Sequence, residues 1–327
     1  MEGRMTPQVA DLKLGDAMSW LLSCVQVCAA RAGREWEPPL LAAIFGHAFE
    51  SSYALGGGEL WSGCACEWCW FGPGLARLGL RPESVDYAGK NPTMHPSPSP
   101  EKRKEALDRA WDLVQRSVER GVPAVVWSPM SRQQRDSGMQ AFCWGLVEGV
   151  DTTTREYLAY HATAGRFRTP FDGLGNIDGA EWVHAFTFDG PDPAYSEAKA
   201  VTATVSDALL YLRGERPGAD MPAPPETIRH GPGAFYEWAS DVDRGKRDVG
   251  KPRWWARGRD AAARFCAWAR ASVPALEAPF EEAERTFRAQ ADALRSLADG
   301  GLSADAIRRV ATLQDEAITA LSRVPVG

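Results

Sequence analysis

The sequence predicts an α+β domain over residues 1–190 followed by an all-helical region over 191–327. Three observations lead there. Apolar residues recur at helical spacing near the start of the chain and again before residue 121. Between 122 and 188, four segments rich in β-branched and aromatic residues are bounded by Gly, Asp or Pro. Beyond Pro193, every segment outside one Pro- and Gly-rich loop has a helical period. At 327 residues the chain exceeds one comfortable core, which favours two domains or one with an appendage.

Taken in order, the first helix is expected over 16–31. Asp16 is placed to cap its free N–H groups, Met18, Leu21, Leu22, Val25 and Cys28 form its apolar stripe, and Gly33 stops it. A second follows the prolines at 38 and 39, through Leu40 to Phe45. The stretch 55–74, crowded with Gly, Trp and Cys, reads as loop, with a short helix over 73–78. Residues 91–100 carry too many prolines for regular structure. Residues 101–120 form an amphipathic helix ended by Gly121. Strands are expected over 122–128, 141–150, 156–162 and 182–188, the middle two joined as a hairpin by a turn over 151–154. Helices then cover 194–213, 233–242, 254–271, 274–297 and 303–321, with a loop over 214–227.

A net charge of −6 and a pI near 5.5 disfavour nucleic acid and anionic membranes, both of which call for clustered Lys and Arg. No apolar run reaches the roughly 20 residues that a membrane span needs, and the first 14 residues lack the apolar core of a secretory signal. The cytoplasm is therefore expected, with seven reduced cysteines.

Several strings together carry a resemblance: Asp16 at the head of helix one, Gly46-His47-Ala48-Phe49 after helix two, Gly121 to Trp127 entering the sheet, and Gly145 to Asp151. In these the chain resembles the N-terminal domain family of butirosin-biosynthesis protein H, within the papain-like superfamily of cysteine peptidases and acyltransferases. The segment Gly233 to Trp238 and the helices after it resemble the helical tail of uncharacterised members. The resemblance implies an N-terminal helix packed on an antiparallel sheet. It also implies a chemistry, either peptide hydrolysis or acyl transfer from a carrier-protein thioester to an amine. Both need a thiolate at a helix N-terminus with a His on the adjoining strand. The sequence departs at both positions. Asp16, Ala17, Met18, Ser19 and Trp20 head the helix, Cys24 and Cys28 lie a turn or more inside it, and counting eight residues back from Asp151 reaches Cys143 instead of His.

The expected function is thus that of a degenerate papain-like protein. It binds a small molecule or peptide in the cleft between the first helix and the sheet, within a biosynthetic pathway. Trp20, Trp144, Glu148 and His47 are the candidate ligand-binding residues. Glu148 stands out as a carboxylate in an apolar strand, costly there unless paired. One alternative is an acyltransferase taking its donor from an acyl carrier protein, with Cys143 as a relocated nucleophile, His161 opposite it across the hairpin, and Asp16 as a third polar group. Another is a partner-binding protein whose helical tail joins copies of the chain. No cofactor is required by these readings. The one candidate is zinc at Cys64, Cys66 and Cys69, three thiols within six residues, with His47 or His95 as fourth ligand. His184, His230 and the Trp254-Trp255 pair are expected to be structural.

Overall fold

The computed structural model describes residues 8–9, 11–14, 18–55, 72–86, 99–141, 143–177, 180–181, 183–215, 227–246 and 252–326. In chain order its elements are α1 (Trp20–Arg31), α2 (Pro38–Ile44), β1 (Ser52–Ala54), α3 (72–76), β2 (Leu80–Asp86), α4 (Pro100–Glu119), β3 (Ala124–Trp127), α5 (Arg132–Asp136), β4 (Trp144–Asp151), β5 (Glu156–His161), β6 (Gly165–Pro170), β7 (Asn176–Ile177), β8 (Ala180–Glu181), β9 (His184–Pro191), α6 (Glu197–Arg213), β10 (Ile228–His230), α7 (Pro232–Asp243), α8 (Pro252–Ser272), α9 (Glu277–Ala298) and α10 (Ala304–Leu321). The chain is α+β, with an antiparallel sheet and a helical C-terminal region.

It divides into two units, Met1–Pro38 with Leu78–Ala194, and Pro39–Arg77 with Tyr195–Gly327. The division differs from the sequence-based one, because 39–77 belongs with the helical unit.

The first unit holds a six-stranded sheet of order β2-β9-β3-β4-β5-β6, antiparallel throughout. Its central strands are buried and β-branched or aromatic, as expected. Both edges went unpredicted. β2 contains Pro82 beside a bulge, and β6 alternates Arg166 and Arg168 with Phe167 and Thr169 before Pro170. Charge and proline hide a strand from pattern reading while protecting an edge from stray pairing.

Residues two and four apart on a strand share a face, so Tyr157 and His161 of β5 point the same way. Trp111 of α4 packs on Tyr157 (5.1 Å between ring centroids) and Trp20 of α1 on His161 (5.6 Å). At Thr187 of β9 the two helices converge: Ser117 of α4 hydrogen-bonds its hydroxyl, and Cys28 Sγ of α1 stands 4.0 Å from it. Both helices therefore cover one face. The opposite face carries the buried aromatic run Trp144, Phe186 and Phe188, packed edge to face.

The helical unit packs α8, α9 and α10 in succession, with α7 against α10. Phe235 and Trp238 meet Trp255 at 5.3 and 5.5 Å, which makes the second residue of the Trp254-Trp255 pair a core residue, as the sequence suggested. Phe49 packs between Phe265 and Phe287, anchoring the 39–55 segment among these helices. β1 pairs with β10, Ser52 opposite His230. No described helix is long and apolar enough to cross a membrane.

Candidate functional site

The head of α1 sets the first boundary of the site. Ser19 caps this helix, its Oγ accepting the Leu22 N–H at 3.2 Å, so the expected cap at Asp16 is corrected to Ser19. A serine in extended conformation directly before the first helical residue satisfies a free N–H that a residue three positions earlier does not reach. Asp16 itself lies outside the described residues, as do Cys64, Cys66, Cys69 and His95. Trp20 opens the helix with 40% of its surface exposed, and its ring covers the imidazole of His161, which is 1% exposed.

His161 closes β5, and its orientation is fixed locally. The backbone N–H of Thr163 donates to Nδ1 at 3.2 Å, and the Thr163 hydroxyl, 2.9 Å from the same nitrogen, donates to the carbonyl of Gln140. Nδ1 therefore acts as acceptor, which assigns the proton to Nε2. An imidazole held this way carries its proton, and with it its only ring donor, at Nε2; it is not poised to take a proton from a thiol there.

Beside it, β4 needs a glycine at 145. A Cβ there would stand 2.7 Å from Pro129 Cγ and 3.4 Å from His161 Cδ2, so only glycine lets this proline and this ring approach the strand. The residues just outside the paired strands are strained. Ser128 has φ +41° and Cys143 φ +80°, both uncommon for side-chain-bearing residues, and the Ser128 N–H donates to the Cys143 carbonyl at 2.8 Å. The Ser128 carbonyl accepts from Met130 and Gly175, which holds the strained turn in place. Ser128 is fully buried, and its Oγ has no hydrogen-bond partner among the described residues. Strained, buried polar positions of this kind cluster where structure has been traded for function.

The relocated dyad is corrected by the register. Cys143 was expected opposite His161, but β4 and β5 pair Leu146 with Tyr160 and Val147 with Ala159, a line that brings Gly145 level with His161. The turn accounts for the slip: it occupies 152–155, one position later than expected, which moves the pairing by two, and a bulge between Val147 and Gly149, where Glu148 is inserted, returns it by one. Cys143 is buried just before β4 begins.

The thiols of α1 are inert. Cys24 and Cys28 are completely buried, and Cys28 donates to the Pro123 carbonyl at 3.1 Å. Burial pushes its pKa up to about 12, well into the range where the thiol keeps its proton. Glu148, proposed as a ligand carboxylate, is 1% exposed and engaged: Arg166 Nε lies 3.0 and 3.2 Å from its two oxygens, and the Gln8 amide donates to it at 2.5 Å. Its backbone carbonyl accepts from Val9. Burial raises its pKa against the opposing pull of Arg166 and Gln8. It ties the N-terminal segment and β6 to the bulge, a structural task. Trp144 is likewise buried in the aromatic face.

Sequence reasoning missed Ser128, Gly145, Thr163 and Arg166. For Arg166 a signal existed, since a carboxylate in an apolar strand requires a cation nearby.

His47, the remaining candidate, belongs to the helical unit. It is 2% exposed, burial lowers its pKa to about 4, and neither ring nitrogen has a hydrogen-bond partner among the described residues. A buried neutral imidazole with both nitrogens unused is the protonation state in which histidine binds metal. Among the described residues no group of three His, Cys, Asp or Glu side chains is placed to hold a metal ion. No family model matches this sequence, and no curated protein does.

Proposed function

We propose that the protein is a non-hydrolytic papain-like protein that holds a small molecule or peptide against the head of α1, in the cleft between that helix and the sheet, as part of a biosynthetic pathway. The observation that supports this best is the half-exposed indole of Trp20 lying on a buried imidazole whose proton is assigned to Nε2. An aromatic lid with a fixed donor beneath it suits recognition. The absence of a reactive thiol from the described part of α1 argues against hydrolysis, since Cys28 is held protonated and Cys24 is buried.

The test is titration of the full chain with S-acetylpantetheine and with a capped diglycine peptide, read by tryptophan fluorescence, beside mass-spectrometric mapping of iodoacetamide labelling. One of the probes is expected to perturb the emission, Trp20→Ala to weaken that response about tenfold or more, and Cys143 to label no faster than the other buried thiols. Release of free pantetheine with the acyl group left on Cys143 would replace this reading by an acyltransferase acting on carrier-protein thioesters. Silence toward both probes, with Trp20 emission equally unaffected, overturns it.

His47 favours a second, compatible reading: a zinc ion held by Cys64, Cys66 and Cys69 with His47 as fourth ligand. The protein purified without chelator is then expected to carry one equivalent of zinc by elemental analysis, and Cys66→Ser to lose it. A metal-free wild type that folds normally rules this out.

A further inference from the structure

The two edges of the six-stranded sheet are treated differently. On β6, Arg166 and Arg168 form ion pairs with carboxylates of β4 and β5, and the side chain of Gln134 donates to the carbonyl of Arg168, so that edge is charged and partly capped. On β2 only the first half is protected. Pro82 has no N–H to offer, the register shifts between Leu80 and Pro82, and the Arg81 guanidinium is folded onto Asp189, 3.0 Å from its carbonyl and 3.1 Å from its carboxylate. From Glu83 to Asp86 the strand pairs with β9 without a break, and no described strand lies on its other side.

This open half borders a groove of about 390 Å³ whose other wall is α4. Val85 and Leu113, both nearly buried, make the floor. The walls are charged. Arg116 lies 3.5 Å from Glu83, whose Oε2 is closed off from solvent without a hydrogen-bond partner among the described residues. Arg109 and Asp112, both exposed, carry no ion pair among the described residues. A strand edge without a described partner, facing a helix across the apolar side chains of Val85 and Leu113, is the geometry in which an extended peptide adds as a further strand. Main-chain hydrogen bonds then supply affinity, and alternate side chains enter the groove.

We propose that the Glu83–Asp86 edge of β2 and the adjoining face of α4 form a docking groove for an extended peptide that places an apolar side chain on Val85 and Leu113 and, two residues away, a carboxylate on Arg109. A guanidinium free of intramolecular carboxylates is the group best suited to a forked carboxylate contact. The two-residue spacing follows from the strand period, because only alternate side chains face the groove.

The probes are fluorescein-labelled, capped threonine hexapeptides containing Glu-Thr-Leu or Leu-Thr-Glu, tested on the full chain by anisotropy and by amide exchange. One order is expected to bind and to slow exchange among residues 83–86. N-methylation at alternate positions separates the mechanism from simple adhesion: methylating the set of amides that faces β2 abolishes binding, and methylating the other set leaves it within about twofold. Arg109→Glu, an exposed substitution that leaves the core untouched, weakens the glutamate peptide at least about tenfold and reverses preference toward its lysine counterpart, tenfold being about 1.4 kcal/mol. Equal tolerance of both methylation sets, equal binding of the lysine peptide to the wild type, or no slowing of exchange at 83–86 overturns the proposal.

Discussion

Replacing Arg259 by methionine is expected to destabilise the helical unit by about 4 kcal/mol, the largest effect of any single substitution discussed. Arg259 is completely buried on α8, and its donors are spent on five oxygens from three separate places, the 48–51 segment, α9 and α10. Nε donates to Gln290 at 2.8 Å and Nη1 to the carbonyls of Ala48 (2.6 Å) and Glu50 (3.3 Å). Nη2 donates to the Ser51 hydroxyl and, at 2.9 Å, to Gln314. Methionine fills similar space yet leaves these oxygens buried without their donor, and the Glu50 carboxylate, 5% exposed, loses the cation that offsets it. Burial lowers the Arg259 pKa to about 9, which still leaves the group charged at neutral pH.

Lysine retains the charge but offers one compact ammonium in place of a planar fork, so Arg259→Lys should fall between wild type and Arg259→Met. Urea unfolding followed by tryptophan emission measures both, because Trp238 and Trp255 lie in the core of the same helical unit. The loss should come with faster amide exchange over 48–54, the segment that Arg259 holds. A methionine variant within about 1 kcal/mol of wild type would show that the guanidinium is tolerated there and does not organise the unit.

Arg259 also shows why the unit boundaries were hard to read. Residues 39–55 look local to the first helix, and nothing in their own pattern assigns them elsewhere. What places them is a contact with a side chain some two hundred positions later, an order of separation no window of sequence spans. Elements whose signal is local were legible. The helix at 100–119 and the five after Pro193 agree with expectation to within a few residues, because their apolar stripes and caps lie within the segment itself. The central strands were legible for the same reason. The edges β2 and β6 were not, since Pro82, Arg166 and Arg168 meet the needs of an exposed edge and not of a buried face. In the site, Trp20 and His161 were found as residues, but their relation was not. A bulge at Glu148 moves the hairpin register by one, and one residue in a ladder decides what faces His161.

That same bulge carries the second large effect. Arg166→Met is expected to cost about 2 kcal/mol at pH 7, less than for a wholly enclosed pair because Arg166 remains 46% exposed to water. The cost arises at Glu148, left in an apolar strand with Gln8 as its remaining side-chain partner. Burial already raises the Glu148 pKa in the wild type, and loss of Arg166 raises it further. A carboxyl whose folded pKa lies above its unfolded value contributes stability below the unfolded pKa and loses it as pH rises through the folded one. The variant must therefore lose stability more steeply than wild type as pH climbs from about 4.5 toward neutrality. The gap between them should shrink at acid pH to a residue set by the lost stacking of Arg166 over Tyr160, whose ring centroid lies 5.0 Å from the guanidinium. Glu148→Gln removes the charge that needs balancing, so the double variant Glu148→Gln/Arg166→Met should recover most of what Arg166→Met loses at pH 7. Unfolding curves at pH 4.5 and 7 for the four proteins decide it: a gap independent of pH, or a double variant no better than Arg166→Met, would mean that the arginine acts through packing alone and that Glu148 is not a charge held in place by β6.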